Sequence, residues 1–123
     1  MSRIVKELEI GGRRLKALFD TGAVHSYITR EFRPEGCVSI APRMVGLGGS
    51  ARRVEERCIV IPTIEGLPFE VMAYVVDELV ETEYGRIDLI VGALTMEEWW
   101  MKLDPKEGTI DLTQVRRRDL TEY

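Results

Sequence analysis

Short runs of alternating apolar and polar residues follow one another along most of the chain, and this period of two predicts β-strands. In the first run, Ile4, Leu8 and Ile10 fall on one face. A pair of glycines then predicts a tight hairpin turn, after which residues 13–19 return as a second strand. The chain therefore opens with a predicted β-hairpin.

A second and longer hairpin is predicted near the middle of the chain. Residues 44–45 and 54–61 are strand-like, and the glycine-rich segment Gly46–Ser50 joins them. Glycine is permissive in backbone conformation, so this segment predicts a mobile hairpin tip.

The remaining segments predict further short strands and brief helical turns. Strands are expected over 69–76, 88–91 and 109–112, a surface loop over 77–86, helical turns over 26–32 with Ser26 as the cap, and a helix over 95–102. Many short strands separated by turn signals are typical of a mainly β domain. We therefore predict a single mainly β domain, a closed barrel with one short C-terminal helix.

Composition sets the outer limits of this prediction. The chain has 123 residues, of which 45% are hydrophobic and 31% charged, and this suits one domain with its core over about 4–112 and a polar tail at 113–123. A net charge of −4 makes nucleic acid an unlikely main partner. No run resembles a signal peptide or reaches the roughly 20 apolar residues of a membrane span, so we expect no membrane partner and a cytoplasmic location.

The two cysteines leave two alternatives open. Cys37 and Cys58 lie 21 positions apart and form no C-x-x-C pair. Two free thiols in a reducing cytoplasm are favoured, and one disulfide is the alternative.

The stretch from Leu18 to Ala23 carries the clearest chemical signal. An apolar run ends there in Asp20, which is poor strand material, followed by Thr21 and the turn glycine Gly22. A carboxylate at a strand end between apolar flanks is a setting in which catalytic acids are found.

With its flanks, this stretch resembles the signature of retropepsin-like aspartic proteases. That signature is an apolar pair, D-[ST]-G-A and a short tail, which Phe19–Ala23 and Ser26-Tyr27-Ile28 match. Downstream, Asp88–Leu94 resembles the family's second motif, a strand beneath the active-site loops that leads into a short helix. Between the two, 44–51 resembles the flap hairpin that closes over substrate.

The resemblance implies an aspartic endopeptidase in which two carboxylates activate one water. The chain holds a single D-T-G, so the second carboxylate must come from another copy, and an obligate homodimer with a peptide or protein substrate is expected. No metal or cofactor is expected, and the lone histidine, His25, has no apparent partners at metal-ligand spacing. The implied catalytic residues are Asp20, Thr21 and Gly22, and the implied substrate-binding residues are Ala23, Val24, His25, Val45, Gly46, Leu47, Gly48, Gly49, Ser50 and Ile90.

The chain departs from the family pattern at two positions. Many retroviral members pair an acidic residue after D-T-G-A with an arginine after the second motif, and here Val24 and Ala93 occupy those positions. Two alternatives to a protease stay open: a non-catalytic dimeric domain that binds peptides or mediates dimerisation, and a domain that docks on a larger partner through Arg116–Arg118. A phosphate-binding loop at Gly46–Ser50 is a poor alternative because the G-K-[ST] ending is missing.

Overall fold

The first hairpin joins strands β1 (Arg3–Ile10) and β2 (Arg13–Asp20), as the alternation predicts. In the computed structural model, which describes residues 2–79 and 81–119, the antiparallel register runs from Ile10 opposite Arg13 to Arg3 opposite Asp20. Both turn glycines have positive φ, 56° and 80°, as a tight hairpin turn requires. The hairpin thus delivers Asp20 at the end of a paired strand.

The other elements are short. The strands are β3 (Ser26–Thr29), β4 (Val38–Leu47), β5 (Ser50–Val60), β6 (Thr63–Ile64), β7 (Leu67–Pro68), β8 (Val71–Val76), β9 (Glu81–Thr82), β10 (Gly85–Arg86), β11 (Leu89–Val91), β12 (Leu103–Asp104) and β13 (Thr109–Ile110). The helices are α1 (Ala93–Glu98), α2 (Thr113–Arg117) and one 3-10 turn over Arg30–Phe32.

One sheet of nine strands organises the domain, in the order β4-β5-β8-β3-β11-β2-β1-β6-β7. Two small two-stranded sheets, β9 with β10 and β12 with β13, lie beside it. The large sheet curls into a half-barrel, so the chain is a mainly β single domain with few helices. The predicted closed barrel is not confirmed, because β4 and β7 form the two ends of the hydrogen-bonded order among the described residues.

Two apolar clusters fill the two faces of the curled sheet. The larger one includes Phe19, Phe69 and Leu89, all buried, and extends to Val115 of α2. The smaller one lies beneath the β4–β5 hairpin and contains Leu47 from the hairpin tip and Val54 from its second strand. The hairpin tip is therefore folded down onto the domain.

Residues 26–29 correct the sequence prediction. The helix expected over 26–32 is wrong there, because Ser26–Thr29 is strand β3, parallel to β8 on one side and antiparallel to β11 on the other. All four residues are buried. Only Arg30–Phe32 is helical, as a 3-10 turn whose N-cap is Thr29 and not Ser26. Backbone pairing on both edges outweighs the short helical pattern.

The C-terminal helices also differ from the prediction. Helix α1 covers Ala93–Glu98, so the helix predicted over 95–102 begins two residues earlier and ends four residues earlier. Its end is a Schellman-type turn: the Met101 amide donates to the Met96 carbonyl at 2.8 Å, and Trp100 adopts a φ of 54°.

A second helix corrects the expectation of a single one. In α2, Val115 is fully buried, so residues 113–117 pack on the domain and are not part of a solvated tail. Arg116 and Arg117 lie in its last turn, where cations interact favourably with the helix dipole. The rest of the predicted tail, from residue 120 onward, lies outside the described residues.

The cysteines form a disulfide. Cys37 and Cys58 are bonded with their α-carbons 4.5 Å apart, so the favoured interpretation of two free thiols is wrong. The hairpin register explains the pairing, because Val38 lies opposite Arg57 and the next pair outward is Cys37 and Cys58. Disulfides are more typical of oxidising compartments, so the cysteines do not support the predicted cytoplasmic location. Of the helices in the described residues, none has the length and apolar character needed to cross a membrane.

Candidate active site

Asp20 is held at the end of β2 by its own turn and by the neighbouring strand. Its Oδ1 accepts a hydrogen bond from the Gly22 amide at 2.8 Å, and its backbone carbonyl accepts one from the Ala23 amide at 3.1 Å. Its Oδ2 lies 3.2 Å from Nε of Arg3, the residue opposite it in the hairpin. The residue is only 6% exposed. A buried carboxylate in an Asx-type turn has a fixed orientation.

Thr21 is engaged by the segment that leads into β1. Its amide donates to the Ser2 carbonyl at 3.0 Å, and its Oγ1 accepts from the Ser2 amide at 2.7 Å. Thr21 is nevertheless exposed to solvent as a residue. The hydroxyl therefore lies at the surface beside Asp20 while bonded within the chain.

Strand β11 and helix α1 support the turn at residues 20–24, the candidate active-site loop. Strand β11 runs parallel to β2, with Val91 opposite Phe19, so its end lies next to Asp20. Beyond it, the Ala93 amide donates to the Ala23 carbonyl at 2.7 Å, and the Leu94 amide donates to the Val24 carbonyl at 3.1 Å. The two sequence motifs are thus joined by backbone hydrogen bonds.

A buried pair of hydroxyls completes this support. Ser26 Oγ accepts a hydrogen bond from the Gly92 amide at 2.9 Å and lies 3.0 Å from Thr95 Oγ1. Both hydroxyl residues are buried. A buried hydroxyl is stable only when it is hydrogen-bonded, so this network fixes the start of α1 against β3.

A cavity of about 250 Å³ lies between Asp20 and the β4–β5 hairpin. Positive φ angles at Gly48 and Gly49, 55° and 80°, make the tight turn of that hairpin, and Leu47 beside it is buried. Of the residues implied by the resemblance, those that line the cavity are Asp20, Gly22, Ala23, Gly46, Leu47, Gly48 and Ile90.

The other implied residues lie elsewhere. Val24 is 59% exposed beside the active-site loop, and Gly49 and Ser50 are exposed at the hairpin tip. His25 lines a neighbouring cavity of about 230 Å³, with its ring 5.5 Å from that of Tyr74. Val45 packs against the apolar cluster beneath the hairpin. Thr21 is near Asp20 but does not line the cavity.

Several cavity residues were not identified from the sequence. Arg3 could have been found by counting the hairpin register back from the turn glycines, since it lies opposite Asp20. The sequence predicts a surface loop over 77–86, but Leu79 and Thr82 from this segment and Ile87 directly after it line the cavity, and Leu79 and Ile87 are buried. Leu18, which precedes the motif, completes this apolar wall.

One titratable group beneath the hairpin has a shifted pKa. Burial raises the pKa of Tyr27 above its ordinary value of 10.0, partly offset by the nearby Arg43, and Tyr74 adds to the rise. The Arg43 guanidinium lies 4.6 Å from the centre of the Tyr74 ring, a cation–π distance. The aromatic rings of Tyr27 and Tyr74 therefore lie beneath the hairpin, with the Arg43 guanidinium beside them.

Within residues 2–79 and 81–119, no three His, Cys, Asp or Glu side chains come together in a way that could hold a metal ion.

The fold and this site define a class of structure. The chain has a retropepsin-like fold, with the D-T-G turn at the end of a central strand and the second motif running beneath it. No family model matches the sequence, and no curated protein matches it.

Similarity to a solved structure supports this assignment of the fold. The chain is similar to the crystal structure of the retroviral protease-like domain of Ddi1 from Leishmania major, with a TM-score of 0.69 and 18% sequence identity. The match covers 91% of this chain and 89% of that one.

Proposed function

We propose that this chain is an aspartic endopeptidase whose active site is shared between two copies. One observation carries the proposal: Asp20 is buried at the end of β2 and faces a cavity closed on its other side by a glycine-rich hairpin. Peptide hydrolysis by carboxylates needs such a group, held rigidly and partly shielded from water.

The chemistry requires two carboxylates that share one proton. In the proposed reaction, the ionised carboxylate takes a proton from a water, whose oxygen adds to the peptide carbonyl carbon. The protonated carboxyl then supplies a proton to the amide nitrogen as the C–N bond breaks. The Gly22 amide, bonded to Oδ1, keeps the carboxylate in one orientation through these steps.

A second copy is needed because this chain supplies one suitable carboxylate. Asp20 is the only acidic residue among the described residues that line the cavity. Asp88, the nearest candidate in the second motif, accepts a hydrogen bond from the Lys16 amide at 3.1 Å instead. A two-fold homodimer would place both Asp20 side chains on the symmetry axis and enlarge the cavity into a cleft.

The substrate of this proposal is an extended peptide. The main chain of Gly46 and Gly48 faces the cavity, where it could hydrogen-bond a peptide backbone as the hairpin closes. The wall formed by Leu18, Ile87 and Ile90 favours apolar side chains next to the cleaved bond. The homodimer is part of this proposal, whereas the cytoplasmic location stays a prediction that the disulfide does not support.

A second candidate function follows from one contact. Nε of Arg3 lies 3.2 Å from Oδ2 of Asp20, so the carboxylate is engaged by a cation within its own chain. If this Arg3–Asp20 contact persists in the dimer, it favours a non-catalytic dimeric domain that binds peptides in the cleft.

The test compares wild type with Asp20→Asn on a denatured protein mixture between about pH 4 and 7, where a shared-proton pair works. Asp119→Asn is the matched control, because it makes the same change at an exposed carboxylate far along the chain. We expect cleavage by wild type and by the control and none by Asp20→Asn. Equal activity of all three proteins would contradict the assignment of Asp20. If none of the three proteins cleaves the mixture although a dimer is present, the peptide-binding domain is favoured.

A further inference from the structure

The residues at the start of β1 are bonded to the two residues at the centre of the proposed site. The Ser2 carbonyl accepts a hydrogen bond from the Thr21 amide at 3.0 Å, and the Ser2 amide donates one to the Thr21 Oγ1 at 2.7 Å. Arg3 forms an ion pair with Asp20 at 3.2 Å. One dipeptide thus contacts both the hydroxyl and the carboxylate.

These contacts compete with assembly of a shared site, an inference that rests on the proposed function. In the proposed two-fold dimer, the carboxylate of Asp20 and the hydroxyl of Thr21 would lie on or beside the axis and face their copies in the second subunit. In the structure, Arg3 and Asp20 line the same cavity, and Nε of Arg3 lies 3.2 Å from Oδ2 of Asp20. The space next to Oδ2 is therefore occupied by the chain's own guanidinium.

The arginine contact can be released without unfolding the hairpin. The side chain of Arg3 is 61% exposed, whereas that of Asp20 is 9% exposed. The Arg3 side chain gains rotamer freedom when it leaves Asp20. An ion pair with one partner largely exposed to solvent is also weak. The backbone pairing of β1 with β2 does not depend on this side chain.

We propose that Ser2 and Arg3 form an intramolecular lock on the active-site loop, which a second copy must displace from Asp20 and Thr21 to complete the site. The lock opposes dimerisation. Its release by a second copy couples assembly to exposure of the carboxylate.

The experiment measures dimerisation of the full chain by sedimentation, without substrate. Arg3→Ala removes the ion pair, and Arg14→Ala is the matched control because it removes an exposed arginine from the same hairpin. We expect Arg3→Ala to lower the dimer dissociation constant roughly fivefold, a change within the reach of a partly exposed ion pair, and the control to leave it unchanged. An unchanged or higher dissociation constant for Arg3→Ala would overturn the lock.

A second readout reports the contact itself. The Nε–H resonance of Arg3 in a dilute, monomeric sample should move on Asp20→Asn and stay in place on Asp119→Asn. No movement would also overturn the lock.

The two readouts separate the lock from the proposed function. A tighter Arg3→Ala dimer that cleaves nothing would support the lock and count against proteolysis. Cleavage by wild type together with an unchanged Arg3→Ala dimer would support proteolysis and overturn the lock. A chain that stays monomeric at every concentration would overturn both the lock and the shared site.

Discussion

Gly92 lies so close to His25 that a β-carbon on Gly92 would stand 2.6 Å from the carbonyl carbon of His25 and would clash with its oxygen. The Ala23 carbonyl oxygen would be 2.9 Å away. The φ of Gly92 is −91°, so the requirement for glycine is one of space and not of backbone conformation. This close approach lets the amides of Ala93 and Leu94 reach the active-site loop.

Gly92→Ala should therefore destabilise the protein by about 2 kcal/mol or more, since backbone atoms must move to admit the methyl group. Urea denaturation measures the effect. The matched control is Gly46→Ala, because a β-carbon at Gly46 meets nothing within 4 Å and its φ is not positive. Equal stability of the two variants would contradict the packing described for the loop.

The sequence predicted some of the elements that carry the motifs and mispredicted others, for identifiable reasons. The β1–β2 hairpin follows from alternation and two turn glycines, which are local signals. Residues 26–29 were mispredicted as helical because strand β3 is stabilised by pairing with β8 and β11, which lie far along the chain. Long-range pairing of this kind leaves little trace in a local pattern.

The disulfide should contribute about 3 kcal/mol to stability, as expected for a closed loop of this size between residues 21 positions apart. Reduction with a thiol should lower the urea midpoint of wild type. A Cys37→Ser, Cys58→Ser double variant should be less stable than wild type and indifferent to the thiol. Alkylation of two thiols in the folded, unreduced protein would contradict the bond.

Tyr27 should make the protein less stable at alkaline pH. Its pKa is raised in the folded state by burial, so folding favours the neutral phenol. That contribution is present below the ordinary value of 10.0 and is lost as the pH rises through the higher folded value.

The measurement is urea denaturation between about pH 9 and 11, around the ordinary tyrosine pKa. Tyr27→Phe should show a smaller loss of stability over this range than wild type does. Tyr84→Phe, at an exposed tyrosine, is the matched control and should retain the loss. A Tyr27→Phe profile identical to that of wild type would contradict the role of burial.

The candidate site was only partly predictable, and the reason is geometric. Asp20 and Gly46–Gly48 were named because motif residues are contiguous in sequence. Leu79 lies within, and Ile87 directly after, a segment whose polar composition suggests only solvent exposure, and both reach the cavity through the fold. Residues contributed by tertiary packing have no spacing rule that a single sequence displays.

The central claim is that two copies of Asp20 form one active site, and a subunit-mixing experiment tests it most directly. Wild type is held at constant concentration while Asp20→Asn subunits are added and allowed to exchange, and cleavage is then measured. Mixed dimers contain only one Asp20 carboxylate and should be inactive. The cleavage activity should therefore fall to about half at equal amounts of the two chains and continue to fall with excess Asp20→Asn. The same additions of Asp119→Asn should raise activity instead. Cleavage by wild type that stays constant at every amount of Asp20→Asn would show that one chain suffices and would contradict the shared site.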